Sequence, residues 1–294
     1  MAYSYFPGCT LSTQAVGYDA SGRAVAEALN LAFEELPEWQ CCGATFPLAT
    51  DNTMALIAPT RILTQSQKAG GHTTTLCAVC YHVLKRTQVF LEQHPESLER
   101  INWFTEEPYE GHTRVSHFLE LLRDDLGWEA VAEKVTRPLA GLRVAPYYGC
   151  LLLRPEEEIG LDDAEEPVIL HDCLAALGCE VVDFPYNVEC CGSYLAVSKP
   201  ELPGKLSSDI IASARRHGAQ AVVTACPLCQ FNLDQAQQNE QRGLPVLYFT
   251  QLMAVALGLP RDVWGLGQHY VDPGDLLDRV TAEGQGHYAS TSTD

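Results

Sequence analysis

Ten of the twelve cysteines in this 294-residue chain fall into two copies of one spacing. The first copy is Cys9, the pair Cys41-Cys42, then Cys77 and Cys80; the second is Cys150, the pair Cys190-Cys191, then Cys226 and Cys229. In both copies 34 residues separate the pair from the final C-x-x-C, while 31 lie between Cys9 and Cys41 and 39 between Cys150 and Cys190. Glycine follows each pair (Gly43, Gly192) and precedes each lone cysteine (Gly8, Gly149). Thiolates are soft ligands, and five in a fixed order point to a metal centre in each half.

Three kinds of thiol chemistry compete. Disulfides are disfavoured, because adjacent cysteines bridge each other only with strain and no secretory segment opens the chain. Zinc takes four thiolates in a tetrahedron and commonly uses C-x-x-C, but a closed site has no use for a fifth thiolate. Zinc in one half with iron in the other stays open. An ordinary iron–sulfur cubane uses a compact C-x₂-C-x₂-C run, which is absent. Five thiolates per half therefore suit a cluster of unusual shape, with one cysteine bridging or an iron position left for a substrate. The pair-following glycines, Gly43 and Gly192, are expected either to let backbone approach the sulfurs or to serve as ordinary turns. His82, two residues beyond Cys80, is the candidate proton donor, with a helix-surface role as the alternative. Cys173 and Cys179 lie outside the repeat, in an apolar helix and at a strand start, and are expected to be core residues.

The elements that must position these thiols repeat as well. Each half opens with a strand-like run into Gly-Cys (2–9 and 142–150), followed by a helix (13–29 and 168–177) and a short extended segment towards the pair. Longer amphipathic helices at 52–69 and 204–217 stop at glycine. The β-rich runs 72–76 and 221–225 then deliver Cys77 and Cys226, and helices follow both C-x-x-C motifs. A last strand and helix close each half. This alternation predicts an α/β fold of two tandem Rossmann-like domains related by duplication. Ligands of open parallel sheets gather beyond the carboxyl ends of the strands, so five dispersed thiols are expected to converge at each sheet end. The expected domains are 1–138 and 139–280, with a disordered tail over 281–294. The eight extra residues of the second half are assigned to a loop over 155–167.

A net charge of −19 excludes phosphate-driven nucleic-acid binding and disfavours an anionic membrane surface. No run of about 18 apolar residues is present to span a membrane, and the reading is a cytoplasmic protein. The absence of Gly-x-Gly-x-x-Gly and Walker motifs leaves flavin or nucleotide to another subunit.

The pattern C-x₃₁₋₃₉-C-C-G-x₃₃-C-x₂-C, present twice, resembles, across nearly the whole chain, the duplicated CCG domain of the heterodisulfide reductase B subunit. Local matches are YFPGC at 5–9, YYGC at 147–150 with Arg154-Pro155 beyond, CCG at 190–192, CPLC at 226–229 and VDPGDLLDR at 271–279. The resemblance implies that Cys9, Cys41, Cys42, Cys77 and Cys80 hold one non-cubane [4Fe–4S] cluster. Cys150, Cys190, Cys191, Cys226 and Cys229 would hold the other, the two facing each other around a disulfide site. It implies partners too: an iron–sulfur electron-wire subunit (C type), a flavin subunit (A type) and a disulfide or thiol substrate. Disulfide reduction takes two electrons and a cluster passes one, which gives two facing centres a purpose. Leu151 stands where methanogen members carry His, and Ser193-Tyr194-Leu195 replaces their glycine-rich run. The resemblance is closer to the bacterial sulfur-oxidiser version of the complex. The competing functions are an electron-relay CCG subunit of a glycolate, lactate or succinate oxidoreductase, and a structural zinc protein.

Overall fold

The computed structural model describes residues 2–44 and 53–290, the last eight of these by backbone alone. The N-terminal half carries strands β1 (Ala2–Tyr5), β2 (Ala32–Glu35), β3 (His72–Thr75) and β4 (Arg114–His117), in the spatial order β2-β1-β3-β4. The C-terminal half carries β5 (Arg143–Tyr147), β6 (Glu180–Val181), β7 (Ala221–Thr224) and β8 (Val246–Tyr248), in the order β6-β5-β7-β8. All six pairings among the described residues are parallel. The same order twice, in two parallel sheets, bears out the tandem Rossmann-like reading.

Helices alternate with these strands. In the first half they are α1 (Gly8–Leu11), α2 (Val16–Ala28), α3 (Ile57–Lys68), α4 (Ala78–Gln93), α5 (Pro95–Asn102), α6 (Phe118–Glu120) and α7 (Trp128–Glu133). In the second half they are α8 (Glu156–Ile159), α9 (Ile169–Ala176), α10 (Glu201–Arg216), α11 (Pro227–Gln235), α12 (Phe249–Ala256) and α13 (Gly274–Ser290). Residue 52, the first of the expected helix 52–69, lies outside the described residues. The stops are as expected: Gly71 (φ +81°) donates to Ser66 O at 2.8 Å beyond α3, and Gly218 (φ +85°) follows α10.

Parallel strands are covered on both faces and so read as continuous β-branched or apolar runs. All four residues of β7, AVVT, are buried. Pro146 in β5 looks misplaced for an inner strand, since it has no N–H to give. It is tolerated because β6 pairs only with Arg143 and Val144, so β5 has no neighbour on that side at Pro146.

The two halves share one core. Helix α2 of the first half packs on α12 of the second, with buried Ser21 Oγ 2.7 Å from Thr250 Oγ1. A Cβ on Gly17 would stand 2.2 Å from the carbonyl oxygen of Gly265, so the approach of α2 to the chain just beyond α12 demands glycine. One expectation is corrected here. The segment 155–167 is not only a loop: it contains α8, which packs against α4 through Tyr81 Oη donating to Ile159 O at 3.1 Å and an Arg86–Glu158 ion pair. As extra length in the second half it has the look of a loop, but Ile159 anchors it in the core. Helix α13 runs as far as Ser290, with 291–294 outside the described residues. Buried Leu276, Leu277 and Val280 fix the first turns of that helix, after which each further residue adds a hydrogen bond at little cost.

Candidate metal centre

Both C-x-x-C motifs begin two residues beyond the end of a strand. Cys77 caps the N-terminus of α4 and Cys80 lies in its first turn; Cys226 caps α11, with Pro227 at the first helical position, and Cys229 follows. Thr75 Oγ1 accepts the Cys77 N–H at 3.2 Å and Thr224 Oγ1 accepts the Cys226 N–H at 3.3 Å, so one turn is built twice. The N-terminal end of each helix favours negative charge, which suits thiolates. The lone cysteines follow β1 and β5, and the pairs follow β2 and β6. All ten thiols therefore leave the carboxyl ends of the sheets.

The sulfurs associate in the same way in both sets. Cys9 Sγ lies 3.6 Å from Cys41 Sγ, and Cys42 Sγ 3.5 Å from Cys80 Sγ. Cys150 Sγ lies 3.6 Å from Cys190 Sγ, and Cys191 Sγ 3.6 Å from Cys229 Sγ. Each adjacent Cys-Cys thus divides its thiols, one towards the lone cysteine and one towards the C-x-x-C. Two thiolates on one tetrahedral metal atom with 2.3 Å bonds stand about 3.8 Å apart, so every pair suits a shared metal atom. Among the described residues no three His, Cys, Asp or Glu side chains form a ready site for a single ion. Two separate pairs and a fifth thiol per set fit a polynuclear cluster better than one zinc tetrahedron.

In three of the four pairs one sulfur is favoured as the thiolate over its partner. The Cys80 thiol holds Cys42 down to about 7, and the Cys150 thiol holds Cys190 down to about 6 against the pull of burial. The Cys229 thiol likewise lowers Cys191, while Cys80, Cys150 and Cys229 are pushed up by these same sulfur neighbours. The Gly192 N–H donates to Cys190 Sγ at 3.3 Å, and the Asn232 amide to Cys191 Sγ at 3.6 Å.

The expected glycines do bring backbone to sulfur, Gly192 through its N–H to Cys190 and Gly43 through its backbone to Cys41, and two further glycines are crowded by sulfur. A Cβ on Gly8 would meet Cys80 Sγ at 2.7 Å and one on Gly149 would meet Cys229 Sγ at 3.0 Å, both at positive φ. By contrast a Cβ on Gly43 would meet nothing within 4 Å among the described residues, and one on Gly192 would meet Leu206 and Pro203.

Eight of the ten thiols are thus paired, and the other two, Cys77 and Cys226, stand at the N-termini of the helices that carry Cys80 and Cys229. Cys42, Cys77, Cys80, Cys191, Cys226 and Cys229 are buried, Cys150 and Cys190 half-buried, and Cys9 and Cys41 exposed. His82 lies apart from the surface, buried between the halves, with Nδ1 3.1 Å from Leu151 O; desolvation lowers it to about 4 and keeps it neutral. Cys173 and Cys179 are buried core residues, and burial pushes Cys179 up to about 12.

Two tyrosines join the halves here. The Tyr18 hydroxyl lies 2.8 Å from Leu76 O and 3.2 Å from Ala225 O, the residues just before Cys77 and Cys226. Tyr194 lines one pocket with Cys150, Cys190, Cys191, Cys226 and Cys229. Burial and then the thiols Cys226, Cys150, Cys42 and Cys77, drawn from both sets, raise its phenol. The substitution of Ser193-Tyr194-Leu195 for glycines was the only sequence signal for Tyr194, and nothing singled out Tyr18.

Two parallel α/β sheets, each ending in five cysteines with the same sulfur pairing, define a duplicated cysteine-rich redox or metal module. The family model for the CCG cysteine-rich domain matches residues 3–85 and 144–234, and the chain belongs to that family. It is 33% identical over 279 residues to the 8-methylmenaquinol:fumarate reductase membrane anchor subunit of Wolinella succinogenes, covering 92% of this chain and 97% of the relative. It is 30% identical to the B subunit of the ferredoxin:CoB-CoM heterodisulfide reductase of Methanosarcina mazei, over 94% of this chain and 96% of the relative. A Helicobacter pylori protein of hypothetical function shares the fold with a TM-score of 0.71 at 14% identity; the match covers 92% of this chain and 51% of that one, so this chain spans about half its length. Among the described residues no helix is long and apolar enough to cross a membrane.

Proposed function

We propose that the chain is the iron–sulfur subunit of a heterodisulfide reductase-like oxidoreductase, with two non-cubane [4Fe–4S] clusters held by the two five-cysteine sets. The identical sulfur pairing in both halves carries this reading: a structural metal in one half would not require the other to keep all five thiols in the same arrangement. Clusters held there would supply one-electron steps, and two of them match the two electrons of a disulfide–dithiol couple. The protein's part is to hold four close sulfur pairs, to present a helix N-terminus to each set, and to bury six of the ten thiols away from water. The substrate is a disulfide or thiol, and electrons pass through two partner subunits, one an iron–sulfur wire and the other carrying flavin.

The similarity to a subunit named for 8-methylmenaquinol:fumarate reductase supports a second reading, an electron-relay subunit of a succinate-type oxidoreductase. One experiment separates the two. The anaerobically purified, dithionite-reduced protein is mixed with 2-hydroxyethyl disulfide or with menadione, and its visible absorbance is followed. Reoxidation by the disulfide, with thiol released in proportion, is expected. Indifference to the disulfide with rapid reoxidation by menadione would overturn the first reading in favour of the second.

A further inference from the structure

The strands that deliver Cys77 and Cys226 belong to different sheets, and among the described residues no strand pairing joins those sheets. What joins their ends is one side chain. Tyr18 is fully buried on α2, and its hydroxyl donates to Leu76 O at 2.8 Å and to Ala225 O at 3.2 Å. Each carbonyl belongs to the residue immediately before a C-x-x-C cysteine, so moving either one moves a thiol. The ring is fixed as well: it stacks on Tyr248 at 3.9 Å with 3° between planes, and Phe249 meets its edge at 6.1 Å. The Tyr248 hydroxyl in turn donates to Gln230 Oε1 at 3.3 Å, beside Cys229. Helix α2 lies close against this strand end, since a Cβ on Gly22 would stand 2.3 Å from the Leu76 side chain.

We propose that Tyr18 is a positioning residue that clasps the two strand ends together and thereby sets the spacing between the two cysteine sets. This deepens the two-centre reading and rests on it for its purpose, since two sets acting on one substrate need a fixed separation. A phenol has a single proton, so the clasp is a shared donor, and its loss leaves a buried carbonyl at each strand end short of a partner. Leu76 O keeps a second donor, His117 Nε2 at 2.9 Å. The two ends should therefore respond unequally.

The test is hydrogen–deuterium exchange on the anaerobically purified full chain, comparing wild type, Tyr18→Phe and Ser21→Ala. Ser21→Ala removes another buried bond between α2 and α12 without touching either strand end. In Tyr18→Phe, peptides covering 72–81 and 221–230 are expected to exchange roughly fivefold faster, more so at 221–230, while Ser21→Ala leaves both unchanged. Pulsed EPR of the reduced protein should show an altered magnetic coupling between the two centres in Tyr18→Phe only. Exchange within twofold of wild type in Tyr18→Phe, or an equal rise in Ser21→Ala, would overturn the clasp. If Tyr18→Phe does not fold, wild type decides alone: under graded guanidinium the two peptides should open together, and opening midpoints that differ would contradict the proposal. Metal in only one half of the wild type would sink the two-centre reading, while the exchange data would still judge the clasp.

Discussion

The two cysteine sets share their sulfur pairing and differ in what surrounds it. In the N-terminal set the Cys9–Cys41 pair is exposed, whereas its counterpart Cys150–Cys190 is half-buried, though a backbone hydrogen bond from the following glycine reaches Cys41 and Cys190 alike. The C-terminal set also has an amide donor, Asn232, at Cys191, and Tyr194 within its pocket. Duplication has thus kept the ligand geometry and altered access.

The strongest way to break this comparison is to remove one set at a time. Cys42→Ser and Cys191→Ser should each cost about half of the bound iron and sulfide, with the EPR signal of the other half retained. Loss of all metal from either variant would show that the sets do not stand independently.

A matched position in the two halves gives the next effect. His117 and Tyr248 both end a strand and have their N–H accepted by the side chain three residues on, Glu120 at 2.7 Å and Gln251 at 2.9 Å. Burial takes His117 from the ordinary 6.5 to about 4. The unfolded chain therefore takes up a proton that the fold refuses: stability from this group is whole above pH 6.5 and is lost as pH falls from 6.5 to 4. The loss amounts to roughly 3 kcal/mol. Urea unfolding at pH 7 and pH 4.5 should show His117→Gln less acid-sensitive than wild type. An unchanged pH profile would contradict a neutral, buried imidazole.

Access itself is measurable by chelation. Bathophenanthroline should strip the Cys191→Ser variant, which keeps only the exposed set, about tenfold faster than Cys42→Ser. Equal rates would erase the contrast between the sets. The smallest effect is expected at Tyr194. Replacing it by glycine should raise reoxidation by oxidised glutathione about fivefold relative to 2-hydroxyethyl disulfide, through added room alone. No change in that ratio would remove Tyr194 from the substrate path.

Much of the fold was legible because duplication prints each signal twice. Runs such as HTTTL and AVVTA mark strands by β-branched content, and the glycines after α3 and α10 mark helix ends. The ten thiols were legible by spacing. Their pairing was not, because Cys41 and Cys42 are neighbours in the chain yet face different partners across the sheet end. Gly8 and Gly149 were passed over for the conspicuous glycines of CCG, since crowding by Cys80 and Cys229 arises from segments far along the chain. Tyr18 carried no local signal, being one aromatic in an amphipathic helix whose partners lie in two sheets. Reading 155–167 as extra length hid α8, because the buried anchor Ile159 lies far from any repeat signal.

The central claim is that both sets hold clusters of the same kind. Iron, zinc and acid-labile sulfide per chain, measured on protein purified without oxygen, test it most directly. About eight irons with matching sulfide and no zinc are expected; about four irons with one zinc, or zinc alone, would contradict it.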